Sequence, residues 1–156
     1  MSTDERILLA QLRRMWETAD PPPPDLAIRT LFRLAMEDLE SIEVELMSLQ
    51  QELSVAGARG PETASTITFA SESLTVMITV SPSGVEHHRL DGWIAPSAAL
   101  RLELRTATGV RDGLADSDGR FAFTEVPAGL IQLVIHPTEG AAVRLARPVV
   151  TPATTV

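Results

Sequence analysis

The sequence predicts an α+β protein in which an N-terminal helical hairpin precedes an antiparallel β-sandwich. Apolar residues recur every three or four positions through the first 54 residues, which is the spacing of an amphipathic helix. From residue 66 onward they alternate with polar residues, as in strands that have one buried face. We therefore expect a helical unit over residues 1–54, a linker over 55–65 and a β-unit over 66–156.

The first helix is predicted to begin near Ser2 and to end at a run of prolines. Ser2 and Glu5 have the spacing of a capping box, in which each side chain bonds the other residue's backbone N–H. The run Pro21–Pro24 ends the helix, because proline lacks the N–H that the next turn needs. The apolar residues between these signals fall on one stripe: Leu8, Leu9, Leu12, Met15 and Trp16.

A second and longer helix is predicted from Asp25 to Leu53. Its apolar residues are spaced alternately by four and three, which is the heptad repeat of a coiled coil. This helix would be roughly 40 Å long, about twice the length of the first, so the first helix cannot cover its whole apolar seam. A second copy of the chain, another protein or the β-unit must cover the rest. The seam residues are Ile28, Phe32, Ala35, Leu39, Ile42, Leu46, Leu49 and Leu53.

The middle of this seam is the predicted docking site, either for a protein partner or for a second copy in a homodimer. The expected contacts are Phe32, Leu39, Ile42, Leu46 and Leu49. Residues 1–54 carry eleven Asp and Glu against five Arg, a net charge of −6. Five of these carboxylates are concentrated mid-helix and either meet a basic partner or form an ordinary solvated face. They are Glu37, Asp38, Glu40, Glu43 and Glu45, of which the first three are expected among the partner contacts.

The β-unit is predicted to begin after the stretch Val55–Pro61, which contains two glycines and a proline and where the helical periodicity stops. Strands are expected around Ile67, through Leu74–Val80 and through Leu90–Ile94. In the next strand, Leu100, Leu102 and Leu104 alternate with Arg101, Glu103 and Arg105, which predicts one buried and one solvated face.

The most specific stretch of the β-unit runs from Ala115 to Ile135. Asp118 and Gly119 predict the tight turn of a hairpin, since these residue types tolerate positive φ. Phe121 and Phe123 then point to one face. The sequence Val126-Pro127-Ala128-Gly129 predicts a reversal into the following strand.

This stretch resembles the carboxypeptidase regulatory-like family, which has a transthyretin-like (prealbumin-like) β-sandwich. The shared pattern is D-x-x-G-x-F-x-F, an L-P-x-G turn that reads Val126–Gly129 here, and a following strand at Ile131–Ile135. Ile131 stands where the family has an aromatic residue. The resemblance covers about Leu90 to Val150 and implies a fold and a supporting role, because a fold does not define a function.

The layout of helices before such a sandwich also resembles that of uncharacterised actinobacterial proteins associated with extracytoplasmic-function sigma factors. That resemblance implies an alternative function, an anti-sigma-like regulator with a sigma factor as its partner. The zinc-binding signature common in such regulators requires Cys, and this chain has none.

Composition disfavours several other classes of function. The absence of Cys excludes disulfides, thiolate metal sites and cysteine nucleophiles. A net charge of −8 disfavours nucleic acid as a partner, because binding to duplexes depends on clustered positive charge. No stretch approaches the ~20 apolar residues of a membrane span, and the acidic N-terminus lacks the features of a signal peptide. We expect a cytoplasmic protein that does not bind membranes.

The sequence predicts neither catalysis nor a cofactor. No spacing of Ser, His and a carboxylate indicates a catalytic triad. His87 and His88 are adjacent, so on a strand they would face opposite sides and could not share a metal. Trp93 is expected in the core, because the chain has only four Phe, two Trp and no Tyr.

A calcium- or metal-dependent ligand-binding sandwich is the second alternative function. Asp116, Asp118 and Glu125 fit positions of a calcium-binding loop, but Leu114 occupies the first ligand position. A turn explains these residues better, and a weak calcium site that includes Asp112 stays open as an alternative.

Overall fold

A computed structural model describes residues 3–21, 23, 26–34, 43–56 and 63–156. Within these ranges, helices α1 (Thr3–Ala19) and α2 (Leu26–Leu34) precede the strands, so the α+β class is confirmed. The strands are β1 (Glu45–Leu46), β2 (Ser48–Ala56), β3 (Thr63–Ala70), β4 (Thr75–Pro82), β5 (His87–Ala95), β6 (Arg101–Thr106), β7 (Gly109–Leu114), β8 (Arg120–Pro127), β9 (Leu130–His136), β10 (Val149–Val150) and β11 (Thr154–Thr155).

The strands form two sheets. The five-stranded sheet has the order β2-β3-β4-β5-β8. The six-stranded sheet has the order β1-β10-β9-β6-β7, and β11 also pairs with β9. The pairing among these strands is antiparallel except between β1 and β10, which run parallel.

Both sheets contribute to one hydrophobic core. On β6, Leu102 and Leu104 are fully buried, and on β4 Val76 and Ile78 are at most 2% exposed. A narrow gap lies between Phe69 and its neighbours in one sheet and the β9 residues of the other, so the two sheets face each other across the core. The predicted period-two alternation is confirmed in β4.

Helix α1 closely follows its sequence signals. Its first turn carries Asp4 and Glu5, which favour the positive end of the helix dipole. The helix ends at Ala19, immediately before Asp20 and the prolines, and the N–H of Asp20 closes the last turn on the carbonyl of Trp16 at 2.9 Å. The residue predicted to cap it, Ser2, lies outside the described residues.

The predicted helix over Asp25–Leu53 is wrong in its C-terminal part. Residues 45–46 and 48–56 are strands, the first paired with β10 and the second with β3. Backbone pairing decides the structure here, between β1 and the distant β10 and between β2 and the next strand β3, and local periodicity does not. A register shift between Leu49 and Gln51 then puts Leu49 opposite core residue Phe69 and Leu53 opposite Thr66.

The segment predicted as a linker, residues 55–65, holds the ends of two paired strands. Strand β2 reaches Ala56 and β3 begins at Thr63, and these two residues are partners in the ladder. Residues 48–56 therefore belong to the five-stranded sheet and not to a helical unit.

The hairpin predicted at Asp118 and Gly119 is also wrong, because β7 pairs with β6 and β8 pairs with β5. The turn carries the chain from one sheet to the other. An oxygen of the Asp116 side chain accepts the N–H groups of Asp118 and Arg120, each at 2.9 Å, and Gly119 has φ +79. The next connection, from β8 to β9, also changes sheet and contains Gly129 with φ +130.

Candidate interaction surfaces

The most extensive exposed apolar surface of the described helices is the stripe along α1. Every described residue of α1 from Asp4 onward is exposed. A groove follows the stripe past Leu9 and Leu12 to Trp16, and Arg13 and Glu17 border it. The exposed fractions of the stripe residues are 57% for Leu8, 54% for Leu9, 37% for Leu12, 55% for Met15 and 67% for Trp16. These exposures do not confirm a packed helical hairpin.

The structure does not bring the predicted docking residues together as one helical seam. Leu46 lies on β1 in the six-stranded sheet, and Leu49 lies on β2 in the five-stranded sheet. They are 73% and 51% exposed. Phe32 lies on α2, whose termini Leu26 and Leu34 are about half exposed. The remaining predicted contacts lie outside the described residues: Leu39, Ile42, Glu37, Asp38 and Glu40.

A second exposed surface is the outer face of the five-stranded sheet around Trp93. The prediction that Trp93 lies in the core is wrong, since its side chain is 45% exposed. On β5, Leu90 and Ile94 point into the core, so Trp93 points outward. Its indole N–H donates to the carbonyl of Asp118 at 3.0 Å, which orients the ring.

Polar groups surround Trp93 on this face. Its neighbours across the ladder are Met77 on β4, which is 39% exposed, and Arg120 on β8. One row further along, the hydroxyl oxygens of Thr66 and Thr79 lie 3.2 Å apart. With Met77, and with Leu53 beside Thr66, Trp93 makes three exposed large apolar side chains on this face, fewer than the five in the stripe of α1.

The outer face of the six-stranded sheet is buried around β9, so Arg105 contradicts the solvated face predicted for β6, whereas Arg101 on the same face is exposed. Val134 and Val150 are partners on this face and are 0% and 2% exposed. Arg105 is 8% exposed, and its Nε lies 2.5 Å from an oxygen of Glu103. His136 Nε2 lies 3.3 Å from the other oxygen of Glu103, but the angles are not those of a hydrogen bond. His136 and Glu103 form an ion pair only when the imidazole is protonated.

Two of the residues considered for calcium binding, Asp116 and Asp112, are engaged in structural contacts. The Asp116 carboxylate holds the inter-sheet turn, and Asp112 lies 3.7 Å from the guanidinium of Arg101. His87 and His88 are neighbours on β5, and His87 Nδ1 lies 2.9 Å from the carbonyl of Val85. In the described ranges, no three His, Asp or Glu side chains are grouped closely enough to hold a metal ion.

Glu45 joins the two sheets at the edge formed by β1. Its carboxylate accepts the backbone N–H of Ser73 at 2.8 Å and the Ser73 hydroxyl at 2.7 Å, both from the turn between β3 and β4. Burial by itself raises the pKa of Glu45, but hydrogen bonds from Ser71 and Ser73 and the charge of Arg147 outweigh it. The pKa of Glu45 therefore lies below its usual value.

Comparison with known proteins finds no matching family model, no matching curated protein and no matching solved structure. The resemblance to carboxypeptidase regulatory-like domains therefore stays a prediction. Of the helices in the described ranges, neither has the length and apolar character needed to cross a bilayer.

Proposed function

We propose that this chain is a non-catalytic interaction protein that docks onto another protein through the apolar stripe of α1. The observation that carries the proposal is the exposure of five large apolar side chains on one side of a 17-residue helix. Single exposed apolar side chains are ordinary, whereas a continuous stripe at helical spacing is typical of a helix that binds a partner.

The β-unit serves in this proposal as a rigid support, a transthyretin-like sandwich in agreement with the resemblance found in its sequence. Its core draws on both sheets, and aliphatic side chains such as Val76, Leu102 and Ile135 are fully buried in it. The helix precedes this body and is followed by Pro21 and Pro23, which limit the conformations of the connection. The proposed location is the cytoplasm.

The stripe can supply useful binding energy. Complete burial of one large apolar side chain is worth about 1.5–3 kcal/mol, and these five side chains are already between one third and two thirds buried. The entropy lost when side chains are ordered and two molecules associate opposes the binding energy that remains to be gained. We therefore expect a specific but moderate affinity.

The proposal is tested by capturing partners from the native host with the full-length chain and two matched variants. Leu12→Asp places a carboxylate in the stripe, and Gln11→Asp places the same group on the polar side of the same turn. Both changes have similar effects on helix propensity, so they differ mainly in the surface that they alter.

A protein that is retained by the wild type and by Gln11→Asp, and lost with Leu12→Asp, is the expected result. Quantitative mass spectrometry of the captured proteins provides the measurement. Equal recovery with all three chains would refute docking through α1. Circular dichroism and the melting temperature of each variant serve as the control for folding.

A further inference from the structure

We infer that the protein on which α1 docks is a second copy of this chain, whose α1 packs antiparallel against the first. This inference rests on the proposed docking role of α1. It follows from the order of charges along one edge of the apolar stripe, because helices that pack side by side bring the residues flanking their apolar seams together.

The edge of the stripe that contains Leu9 carries charges of opposite sign in its two halves. Arg6 borders Leu9 on the same surface as Arg13 and Glu17. Asp20 directly follows α1 and lines the apolar groove at its other end. This edge is therefore basic toward the N-terminus of the helix and acidic toward its C-terminus.

Within one helix only the middle charges of this edge can meet. The Nε atom of Arg13 lies 3.5 Å from a carboxylate oxygen of Glu17, and both side chains are exposed, so this pair is weak. Arg6 and Asp20 lie about 21 Å apart along the helix axis, which is too far for an ion pair within one copy. Both are exposed and can contact a second molecule.

An antiparallel pair brings this edge of both helices together with its direction reversed. We place Leu12 of each copy level with Trp16 of the other, so that the two stripes cover each other. Arg6 then lies within about 3 Å, measured along the axis, of Asp20 of the other copy. The two-fold symmetry makes this contact twice, with a basic group against an acidic one each time.

The other charges are compatible with this arrangement. The two Arg13 side chains come side by side at the centre, where each guanidinium already has Glu17 of its own helix beside it. Glu5, which interacts within its own chain, lies level with residue 23 of the other copy, beyond the end of that α1. It therefore lies outside the paired stretch of the two helices.

A parallel pair fits the charges less well. It puts the charged edge of one helix against the opposite edge of the other, where Asp4 beside Arg6 is the one charged residue and Gln11 and Thr18 are neutral. It also aligns the two helix dipoles, whereas an antiparallel pair opposes them favourably. The parallel arrangement further places the chain that follows α1 at the same end in both copies.

The first test is the mass of the full-length chain by sedimentation equilibrium over a range of concentrations. The wild type and Gln11→Asp should form a dimer, and Leu12→Asp should be a monomer. In the capture from the native host, the protein retained by the tagged wild type should be the host's own untagged copy of this chain.

Charge reversal then tests the antiparallel contact. Arg6→Glu and Asp20→Arg should each weaken the dimer about fivefold, because each replaces two attractive contacts by two repulsive ones. The double variant Arg6→Glu with Asp20→Arg should restore the wild-type affinity. The matched control is Arg14→Glu with Asp20→Arg, which has the same net charge but changes an arginine on the far side of the helix, and it should not restore the affinity.

Each other outcome overturns a defined part of the inference. A monomeric wild type that captures a different protein, lost with Leu12→Asp, would overturn the second copy and leave docking through α1 intact. A dimer that Leu12→Asp does not weaken would also overturn it, while equal capture by wild type and Leu12→Asp would refute docking itself. Rescue of Arg6→Glu by Asp4→Arg, and not by Asp20→Arg, would show a parallel pair.

Discussion

Two phenylalanines in the β-unit lie against glycines. A Cβ on Gly92 would lie 2.0 Å from the ring of Phe121, and a Cβ on Gly113 would lie 2.5 Å from the ring of Phe123. The two rings meet edge to face, 6.1 Å apart. The F-x-F pattern in the sequence predicts two core side chains, but it does not show that each needs a glycine on another strand.

The carboxylate of Glu45 is expected to make the stability of the fold depend on pH. Its pKa is lowered in the folded chain, so ionised Glu45 stabilises the fold above the pKa of the unfolded state. This contribution is lost as the pH falls through the lower, folded pKa. Glu45→Gln should lower the free energy of unfolding by about 1 kcal/mol near neutral pH. The variant should also lose less stability than the wild type as the pH falls.

The measurement is urea denaturation of the wild type and the variant across the acidic range. Glu43→Gln is the matched control, because the Glu43 side chain is 91% exposed and its oxygen lies 3.8 Å from Arg147. Parallel pH profiles for wild type and Glu45→Gln would show that Glu45 does not contribute to the acid dependence.

At the scale of elements, residues 45–56 show how two periodicities can coincide in one sequence. Leu46, Leu49 and Leu53 fit a heptad, and the same stretch fits two strands separated by Met47. Strand β1 has partners on β10, where the N–H of Met47 donates to the carbonyl of Val150 at 2.8 Å. These partners lie about a hundred residues away, so local patterning could not reveal them.

A pair of adjacent substitutions distinguishes the strand from the predicted helix. Met47 is 4% exposed and Leu46 is 73% exposed, whereas the heptad seam would bury Leu46 and leave Met47 outside it. Met47→Asp should destabilise the chain by about 3 kcal/mol or more, because it buries a carboxylate. Leu46→Asp should change the free energy of unfolding by less than about 0.5 kcal/mol.

Chemical denaturation of both variants provides the comparison. The opposite order, with Leu46→Asp the more damaging change, would support a helical seam through this segment. A wild-type-like result for both would contradict the burial of Met47.

For the whole molecule, the exposure of α1 predicts that the β-unit is stable without it. Deletion of residues 1–19 removes side chains that are exposed from Asp4 onward and leaves the common core of the two sheets intact. The melting temperature should change by no more than about 2 °C, while partner capture is lost. Differential scanning calorimetry checks the first expectation, and a large fall in melting temperature would mean that α1 packs on the body.

The sequence by itself determined the α+β class, the bounds of α1 and most strands of the β-unit. These features depend on local chemistry: a helix start, a proline stop and side chains that alternate between two faces. The positive φ of Gly119 was also predictable from its place beside Asp118.

Only the tertiary structure decided which strands pair and which faces are covered. It placed β7 and β8 in different sheets, left Trp93 exposed and buried Arg105 on a face that alternation marks as solvated. It also assigned residues 45–46 to a strand beside β10. The physical reason is common to all four: pairing and burial depend on residues distant in sequence, whose contacts outweigh local preference.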